Sequence, residues 1–170
     1  SNLVIIPLVF ALIFLSVAGF YASLHAGLIM LAAMVMATVL TYAYMGLAGI
    51  GINVNTVPII AVGNGIGIDY SIHLMDRVRS EFYDGRSLAE SVKVGLETTG
   101  TAIGFTAAIL ICGVIMWVFV SDLKFQADAA MLLIVMLGLN ALTAVFMVPA
   151  WLKTFSPRFI TRQVQQERAK

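Results

Sequence analysis

Apolar residues dominate five long stretches of the chain, and short polar segments separate them. A helix needs about 20 apolar residues to cross the hydrocarbon core of a bilayer. The turn between the first two stretches is too short to hold a domain, so these two spans are expected to form an antiparallel hairpin. The pattern therefore predicts an all-α integral membrane protein, a five-helix transmembrane bundle with spans at residues 3–22, 28–47, 56–78, 98–120 and 129–152.

Two polar segments interrupt or follow this transmembrane domain of residues 1–152. Residues 79–97 are predicted to form a cytoplasmic linker, in which Ser87-Leu-Ala-Glu90 has the spacing of a capping box. A short amphipathic helix is expected to begin at that box. Residues 153–170 are polar and basic, and they are predicted to form a cytoplasmic tail.

The composition argues against several classes of function. The chain is 61% hydrophobic and 11% charged, whereas a soluble domain has about 25% charged residues. The basic residues are few and scattered, so nucleic-acid binding has no support. One cysteine, Cys112, two distant histidines and the lack of CxxC or HExxH motifs give no support for a disulfide framework or a metal site. No cofactor is expected, and no motif within a span suggests a membrane-embedded enzyme.

The basic residues predict the orientation in the membrane. They follow the third and fifth spans, and only Lys124 lies between the fourth and the fifth. Two basic regions that are separated by two crossings lie on the same side, which the positive-inside rule makes cytoplasmic. The N-terminus is therefore expected to be extracytoplasmic and the C-terminus cytoplasmic.

Asp69 is the first formal charge in the chain, because residues 1–68 contain no Asp, Glu, Lys or Arg. It lies about fourteen residues into the third predicted span, near the bilayer midplane and slightly to the cytoplasmic side. An acid at that depth costs roughly 2.5–3.5 kcal/mol on insertion scales. Asp69 is therefore the leading candidate for a functional site.

Polar residues at spacings of three and four accompany this acid. One helical face, from mid-membrane to the cytoplasmic surface, carries Gly65, Asp69, His73 and Asp76. A carboxylate, an imidazole and a second carboxylate on one stripe can pass a proton inward, so Asp69 is expected to couple protons with support from His73. The alternatives are a permanently neutral Asp69 that hydrogen-bonds across helices, and a His73 that only snorkels to the interface. Tyr70 is expected either to hydrogen-bond an acid on a facing helix or to pack.

Glycines near Asp69 favour close helix packing over nucleotide binding. The alternate glycines of Gly63-Asn-Gly-Ile-Gly67 resemble a nucleotide loop only weakly, since no strand precedes them and the surroundings are apolar. Gly63 and Gly67 instead form a small-xxx-small pair, which lets a neighbouring helix backbone approach closely. Gly100 and Gly104 form a similar small-residue face on the fourth span. Both pairs are predicted to pack helices.

Polar residues elsewhere in the spans are candidates to support the same site. Thr106 lies about as deep as the acid along its own span, and Thr106 and Asn64 are expected to support it. Asn140 lies midway along the fifth span. Threonine hydroxyls in membrane helices often bond back to their own backbone, so such residues are more often structural. Asp76 and Arg77 are interpreted as residues of the membrane interface.

The sequence GNGIGIDYSIHLMDR, from Gly63 to Arg77, resembles a motif in the carboxy-terminal membrane half of resistance–nodulation–division (RND) transporters. It is especially similar to the branch that contains the mycobacterial membrane protein large (MMPL) exporters and hopanoid-type lipid exporters. The preceding Gly-Ile-Asn-Val-Asn-Thr stretch, the helix GTAIGFT and a last span ending in VPAW extend the resemblance over essentially the whole chain.

The resemblance implies a transporter of twelve spans in two similar halves, each with a large extracytoplasmic domain. The five spans here resemble the eighth to twelfth. Asp69 would then carry the proton, Tyr70 would be its partner across the halves, and Thr106 matches a polar position near the proton site of the drug-efflux branch. Because the first half, the porter domains and the seventh span are absent from this sequence, the chain is expected to be a piece of a larger transporter or to function bound to one. A homo-oligomer is a further possibility.

The function expected from the resemblance is export of hydrophobic or lipid-like molecules, driven by the proton-motive force, from a bacterial inner (plasma) membrane. The expected partners are the other transmembrane half, the porter domains, the substrate and membrane lipids. The alternative is a non-transporting lipid sensor or scaffold, like the sterol-sensing domains that share this helix arrangement. The intramembrane Asp-Tyr pair argues against that alternative, since a pure sensor needs no titrating acid.

Overall fold

The computed structural model describes residues 2–20, 24–52, 56–120 and 123–155. Within these ranges the chain is helical and has no strand, so the predicted all-α bundle is confirmed. Most of the predicted tail, from residue 156 onward, lies outside the described residues. The elements are α1 (Asn2–Phe20), α2 (Leu24–Ala48), α3 (Thr56–Tyr83), α4 (Leu88–Gly95), a π-helical turn (Leu96–Gly100), α5 (Thr101–Val120) and α6 (Lys124–Phe155).

Three helices in the described part are long and apolar enough to cross a membrane by length and composition: Gly27–Ala48, Leu88–Val120 and Lys124–Thr154. A shorter apolar helix covers Pro7–Gly19 within α1. α3 is 28 residues long and carries charged side chains from Asp69 onward. A helix of that length extends about 42 Å, more than the roughly 30 Å of the hydrocarbon core.

The polar segment after α3 is helical for most of its length. α3 continues to Tyr83, and Gly85, with φ of 94°, makes the turn that follows. At the start of α4, the Ser87 hydroxyl accepts a hydrogen bond from the Glu90 backbone N–H, and the Glu90 carboxylate accepts one from the Ser87 backbone N–H. The predicted capping box is thus confirmed. α4, the π-helical turn and α5 form one continuous helix over Leu88–Val120.

α6 is the central helix of the bundle and packs against α2, α3 and α5. Its fully buried residues recur mostly at every fourth position and include Leu132, Met136, Ala144, Val148 and Leu152. This spacing places them on one face of the helix. Lipid is as apolar as these side chains, so close packing and interhelical hydrogen bonds, rather than hydrophobic burial, hold membrane helices together.

α3 lies close against α6 at two glycines. A Cβ atom added at Gly63 would meet the Met136 sulfur at 2.5 Å, and one added at Gly67 would overlap the Asn140 amide. The space that the glycines leave lets Asn140 Nδ2 donate a hydrogen bond to the Gly63 carbonyl, at 3.1 Å. Asn140, on the last helix, therefore bridges α6 and α3.

A second polar contact joins α2 to α3 at the same level. Thr38 Oγ1 donates a hydrogen bond to Asn64 Oδ1 at 2.9 Å, and both residues are buried. Asn64 follows Gly63 directly, so two interhelical hydrogen bonds tie one turn of α3 to two different neighbours. Such bonds contribute on average about 0.6 kcal/mol each in membrane proteins. Their main effect here is to fix the rotation of α3 about its own axis.

A buried carboxylate holds the charged end of α3. Glu81 is 5% exposed and forms ion pairs with Arg77, at 2.7 Å, and with Arg86. Arg86 lies just after the turn, so Glu81 ties α3 to the segment that leads into α4. The fully buried Val78 of α3 and Val92 of α4 belong to one core cluster, which joins the same two helices.

Gly67→Ala is expected to destabilise the fold, because the added methyl group displaces the Asn140 amide and breaks its hydrogen bond to Gly63. Overpacking of this kind costs about 1–3 kcal/mol. Gly138→Ala is the matched control, since an added Cβ there has nothing within 4 Å and alanine favours a helix by about 1 kcal/mol. Thermal unfolding in detergent compares the two variants. Equal melting temperatures would contradict the close α3–α6 contact.

Glu81→Gln is expected to loosen the turn between α3 and α4, because the neutral amide leaves two arginines without their carboxylate. The arginine side chains are 42% and 49% exposed, so the loss is expected to be about 1–2 kcal/mol rather than the 3–5 of a fully buried pair. Hydrogen exchange of the amides of residues 84–95 measures the effect. Glu97→Gln is the control, because Glu97 is 63% exposed and its pair with Lys93 is 3.8 Å long. Equal exchange in both variants would show that the buried pair is dispensable.

Candidate functional site

Asp69 lies at the middle of α3 and points out of the bundle. Its side chain is 62% exposed, whereas the neighbouring Tyr70 is 3% exposed. The packing of Gly63 and Gly67 against α6 explains this difference, because Asp69 falls on the opposite face of the helix. Among the described residues, Asp69 contacts His73 and makes no hydrogen bond to another helix.

A groove of about 570 Å³ opens beside Asp69, between α3 and the facing helix formed by the π-helical turn and the start of α5. A stripe of polar side chains from α3 forms one wall, and threonines stand among apolar side chains on the other. The polar residues that line the groove include Asp69, His73, Asp76 and Ser80 on α3, and Thr99 and Thr106 on the facing helix. Thr106, which lies about as deep along its helix as the acid, lines the same groove as Asp69.

The π-helical turn joins α4 to α5 and contributes Thr99 to the groove. Within and after it, the Thr98 and Thr101 hydroxyls donate to their own backbone, at 2.7 Å to the Val94 carbonyl and 2.8 Å to that of Glu97. Thr99, between them, lines the groove instead. A π-helical turn contains one residue more than an α-helical turn and occurs frequently at functional sites.

Asp69 and His73 form the central pair of the site. Asp69 Oδ1 lies 3.4 Å from His73 Nε2, one helical turn away, and the imidazole is 65% exposed. From this separation a small side-chain rotation, or one bridging water molecule, brings a carboxylate and an imidazole within reach of proton transfer. Both side chains are open to whatever enters the groove.

Tyr70 contributes a buried hydroxyl to the same groove. Its Oη atom is inaccessible and has no hydrogen-bond partner among the described residues. A buried hydroxyl without a partner costs about 1–3 kcal/mol, so the position favours an acceptor supplied from outside this part of the chain. Arg77, further along the groove, also has a buried and unpartnered nitrogen, Nε, while its Nη2 binds Glu81 at 2.7 Å.

The other predicted site residues lie elsewhere. Asn64 is buried and bonds Thr38, so it holds α3 in place and does not line the groove. Gly100 is buried, and a Cβ added there would touch Leu96 at an ordinary 3.6 Å. Gly104 is exposed and a Cβ added there would meet nothing within 4 Å, so within the described chain it packs against no helix.

Among the polar groove residues, Ser80 is the one that was not considered for the site from the sequence. Asp76 was placed on the polar stripe of α3 but interpreted, with Arg77, as an interface residue, and Thr99 was considered more often structural. The spacing did contain the signal for α3, because positions 69, 73, 76 and 80 follow steps of four, three and four and so share a face. In the described ranges, no three His, Cys, Asp or Glu side chains are grouped to hold a metal ion.

The helix that faces the groove leaves most of its surface uncovered. Of the α5 residues, Ile103 and Ala107 are buried. Large apolar side chains point outward along the rest of the helix, including Phe105, Ile109, Met116, Trp117 and Phe119. The groove therefore lies at the edge of a broad apolar face that suits lipid or another membrane helix.

Comparison with known proteins places the chain among membrane transporters and related proteins. The MMPL family model matches residues 1–170. The trehalose monomycolate exporter MmpL3 of Mycolicibacterium smegmatis is 37% identical over 112 residues, which cover 61% of this chain and 11% of that protein. The protein translocase subunit SecD of Alicyclobacillus acidocaldarius is 31% identical over 96 residues, which cover 56% of this chain and 22% of that protein.

A probable trehalose monomycolate exporter MmpL3 from Mycobacterium leprae is 35% identical over 97 residues, 56% of this chain and 10% of that protein. The matched region thus spans about a tenth of the length of either MmpL3 protein. No solved structure matches the chain. The match of the family model over the full length, together with the MmpL3 relatives, shows that this chain belongs to the MMPL family, a branch of the RND superfamily.

Proposed function

We propose that this chain is the carboxy-terminal membrane half of an RND-type exporter of hydrophobic or lipid-like molecules, driven by the proton-motive force. The observation that carries the proposal is an acid at the middle of α3, Asp69, that faces outward into a groove where the buried Tyr70 hydroxyl lacks a partner. Support for the cargo class comes from relatives whose names give trehalose monomycolate as the exported molecule.

The chemistry of the site suits a proton carrier. A protonated carboxyl group is neutral and is stable against apolar surroundings, whereas a carboxylate needs a hydrogen-bond donor or a cation there. His73 Nε2 lies 3.4 Å from the carboxylate and can supply such a group after a small side-chain rotation, and Thr106 lines the same groove. Asp69 can therefore exist in both forms at one place, which is what coupling requires. A proton antiport mechanism follows if the two forms favour different packing of the halves.

The missing partner of the site is proposed to be the other transmembrane half. The groove and the outward apolar face of α5 lie side by side, so a second bundle placed there would cover both. An acid on that bundle would accept a hydrogen bond from Tyr70 after a side-chain movement that exposes the hydroxyl, since Oη is inaccessible in the bundle alone. The porter domains would then connect to these halves outside the membrane, and the substrate and membrane lipids would meet the complete assembly.

The charged end of α3 is proposed to face the cytoplasm of a bacterial cell. Arg77, Arg79, Arg86 and Lys93 all lie near that end, and the positive-inside rule favours such a cluster on the cytoplasmic side. The N-terminus would then be extracytoplasmic and the C-terminus cytoplasmic. In this orientation the groove beside Asp69 leads toward the cytoplasm.

Asp69→Asn is expected to abolish proton-coupled export without unfolding the protein, because the amide keeps the size of the carboxyl group but cannot exchange a proton. Proton uptake under an imposed pH gradient measures this, in liposomes of the source cell's own lipids that contain the full transporter. Asp84→Asn, in the exposed turn after α3, is the charge-matched control and should behave like wild type. Undiminished proton uptake in the Asp69 variant would show that Asp69 is structural, and lipid binding without proton uptake in the wild type would favour the sensor or scaffold instead.

Tyr70→Phe is expected to slow proton-coupled transport by roughly 10- to 100-fold, the value of one hydrogen bond to a charged group, about 1.5–3 kcal/mol. The same variant should keep or raise the melting temperature of the five-helix bundle, because it removes a buried hydroxyl that has no partner within the described part. Tyr44→Phe, on α2 and away from the groove, controls for loss of a hydroxyl. If Tyr70→Phe transports at the wild-type rate, the tyrosine only packs.

A further inference from the structure

The groove beside Asp69 is polar in one direction only. Toward the charged end of α3 it is lined by His73, Asp76 and Ser80. Successive members of this series are separated by about 4.5–6 Å along the helix axis, a gap that one water molecule bridges between side chains. In the opposite direction the corresponding positions of α3 are Gly65, Ile66 and Val62, which carry no polar side chain and do not line the groove.

His73 is the titratable side chain that touches Asp69, among those described. On α3, the next acid is Asp76, nearly one turn further along. Arg77 also lines the groove, but Glu81 binds its Nη2 at 2.7 Å, and Arg86 binds the same carboxylate from the other side. The positive charge of Arg77 is thereby directed to Glu81 and away from the Asp69–His73 pair.

The opposite wall carries no titratable group. The π-helical turn and α5 contribute Thr99, Ala102, Ile103 and Thr106 to the groove. The threonine hydroxyls can hold water in place, but they cannot accept a proton at neutral pH. Of the groove groups, His73 therefore combines contact with Asp69, openness to water and a ring nitrogen that can both accept and release a proton.

We propose that His73 is the proton relay between Asp69 and water at the charged end of α3, an inference that rests on the function proposed above. When Asp69 releases its proton, the O–H bond at Oδ1 breaks and an N–H bond forms at His73 Nε2. The imidazolium then gives its Nδ1 proton to water in the groove. Rotation of the imidazole ring of His73 then turns its unprotonated nitrogen, Nδ1, toward Asp69. The same steps in reverse load Asp69 from that side.

The relay assigns separate tasks to the two residues. Asp69 carries the charge that changes the packing of the halves, and His73 sets the rate and the side of proton exchange. In the conformation described here, Asp69 exchanges with the charged end of α3. Access from the other side requires a different arrangement of α3 against its neighbours, because the apolar side chains beyond Asp69 offer no path.

The test uses the full transporter in liposomes of the source cell's own lipids, with proton uptake followed by a trapped pH indicator. His73→Ala and His73→Gln are each expected to slow uptake by roughly 100-fold, the usual contribution of a proton-transferring side chain. Added imidazole should restore most of the lost rate in the alanine variant, which leaves room for it, and little in the glutamine variant. His25→Ala, at the exposed start of α2, is the control. Its proton uptake should equal that of the wild type, and added imidazole should not change it.

The outcomes separate the relay from the function on which it rests. Rescue of His73→Ala by imidazole, with Asp69→Asn inactive in its presence, supports the relay. Wild-type uptake in His73→Gln, or failure of imidazole to rescue a folded His73→Ala with an unchanged melting temperature, overturns the relay and leaves Asp69 as the carrier. Proton-coupled uptake in Asp69→Asn overturns the proposed function itself, whatever the histidine variants do.

Discussion

The close contact of α3 with α6 is the constraint on which the site depends. Gly63 and Gly67 let the Met136 and Asn140 side chains reach the α3 backbone. Because a helix has one rotation about its axis, fixing these glycines inward fixes every other residue of α3 as well. Asp69 then has to face outward. The acid is thus placed by residues that never touch it.

The rotation of α3 about its axis also explains why Asp69 and Tyr70, which are adjacent in sequence, differ in exposure. Tyr70 is adjacent in sequence, yet it points between α3 and the facing helix and is nearly inaccessible, while Asp69 is mostly open. Their polar groups therefore meet different surroundings within one groove. The carboxyl group is open to the groove, and the phenol hydroxyl is buried without a hydrogen-bond partner in the described part of the chain.

The sequence was sufficient to predict the helices and part of the site. Hydropathy finds long apolar stretches directly, and the steps of three and four from Asp69 identify a polar face without any structure. It could not predict which way that face points, since this depends on Asn140, a residue 71 positions away from Asp69 that fills the space beside Gly67. Gly104 shows the converse: a small-residue pattern looks the same on a packed face and on an exposed one.

Burial of charge was equally hidden from the sequence. Glu81 lies in a segment that is rich in charged residues and was predicted to be a solvated linker, yet it is among the buried residues of the chain. Its burial depends on Arg77, before the turn, and Arg86, after it, which both bind its carboxylate. Composition alone cannot show this spatial arrangement. The hydropathy pattern also could not predict that α4 and α5 form one helix. A helix that changes from amphipathic to apolar along its length has the sequence pattern of two separate elements.

The π-helical turn at Leu96–Gly100 gives this continuous helix a property that a uniform helix lacks. Its extra residue rotates everything that follows by about 100° relative to an uninterrupted α-helix, since each residue of an α-helix turns by that amount. If the extra residue moved along the helix by one turn, the residues it passed would change face, while the ends of the helix stayed where they are. Thr99 could then leave the groove without any movement of α3, so the polarity beside Asp69 would change by a shift of register alone.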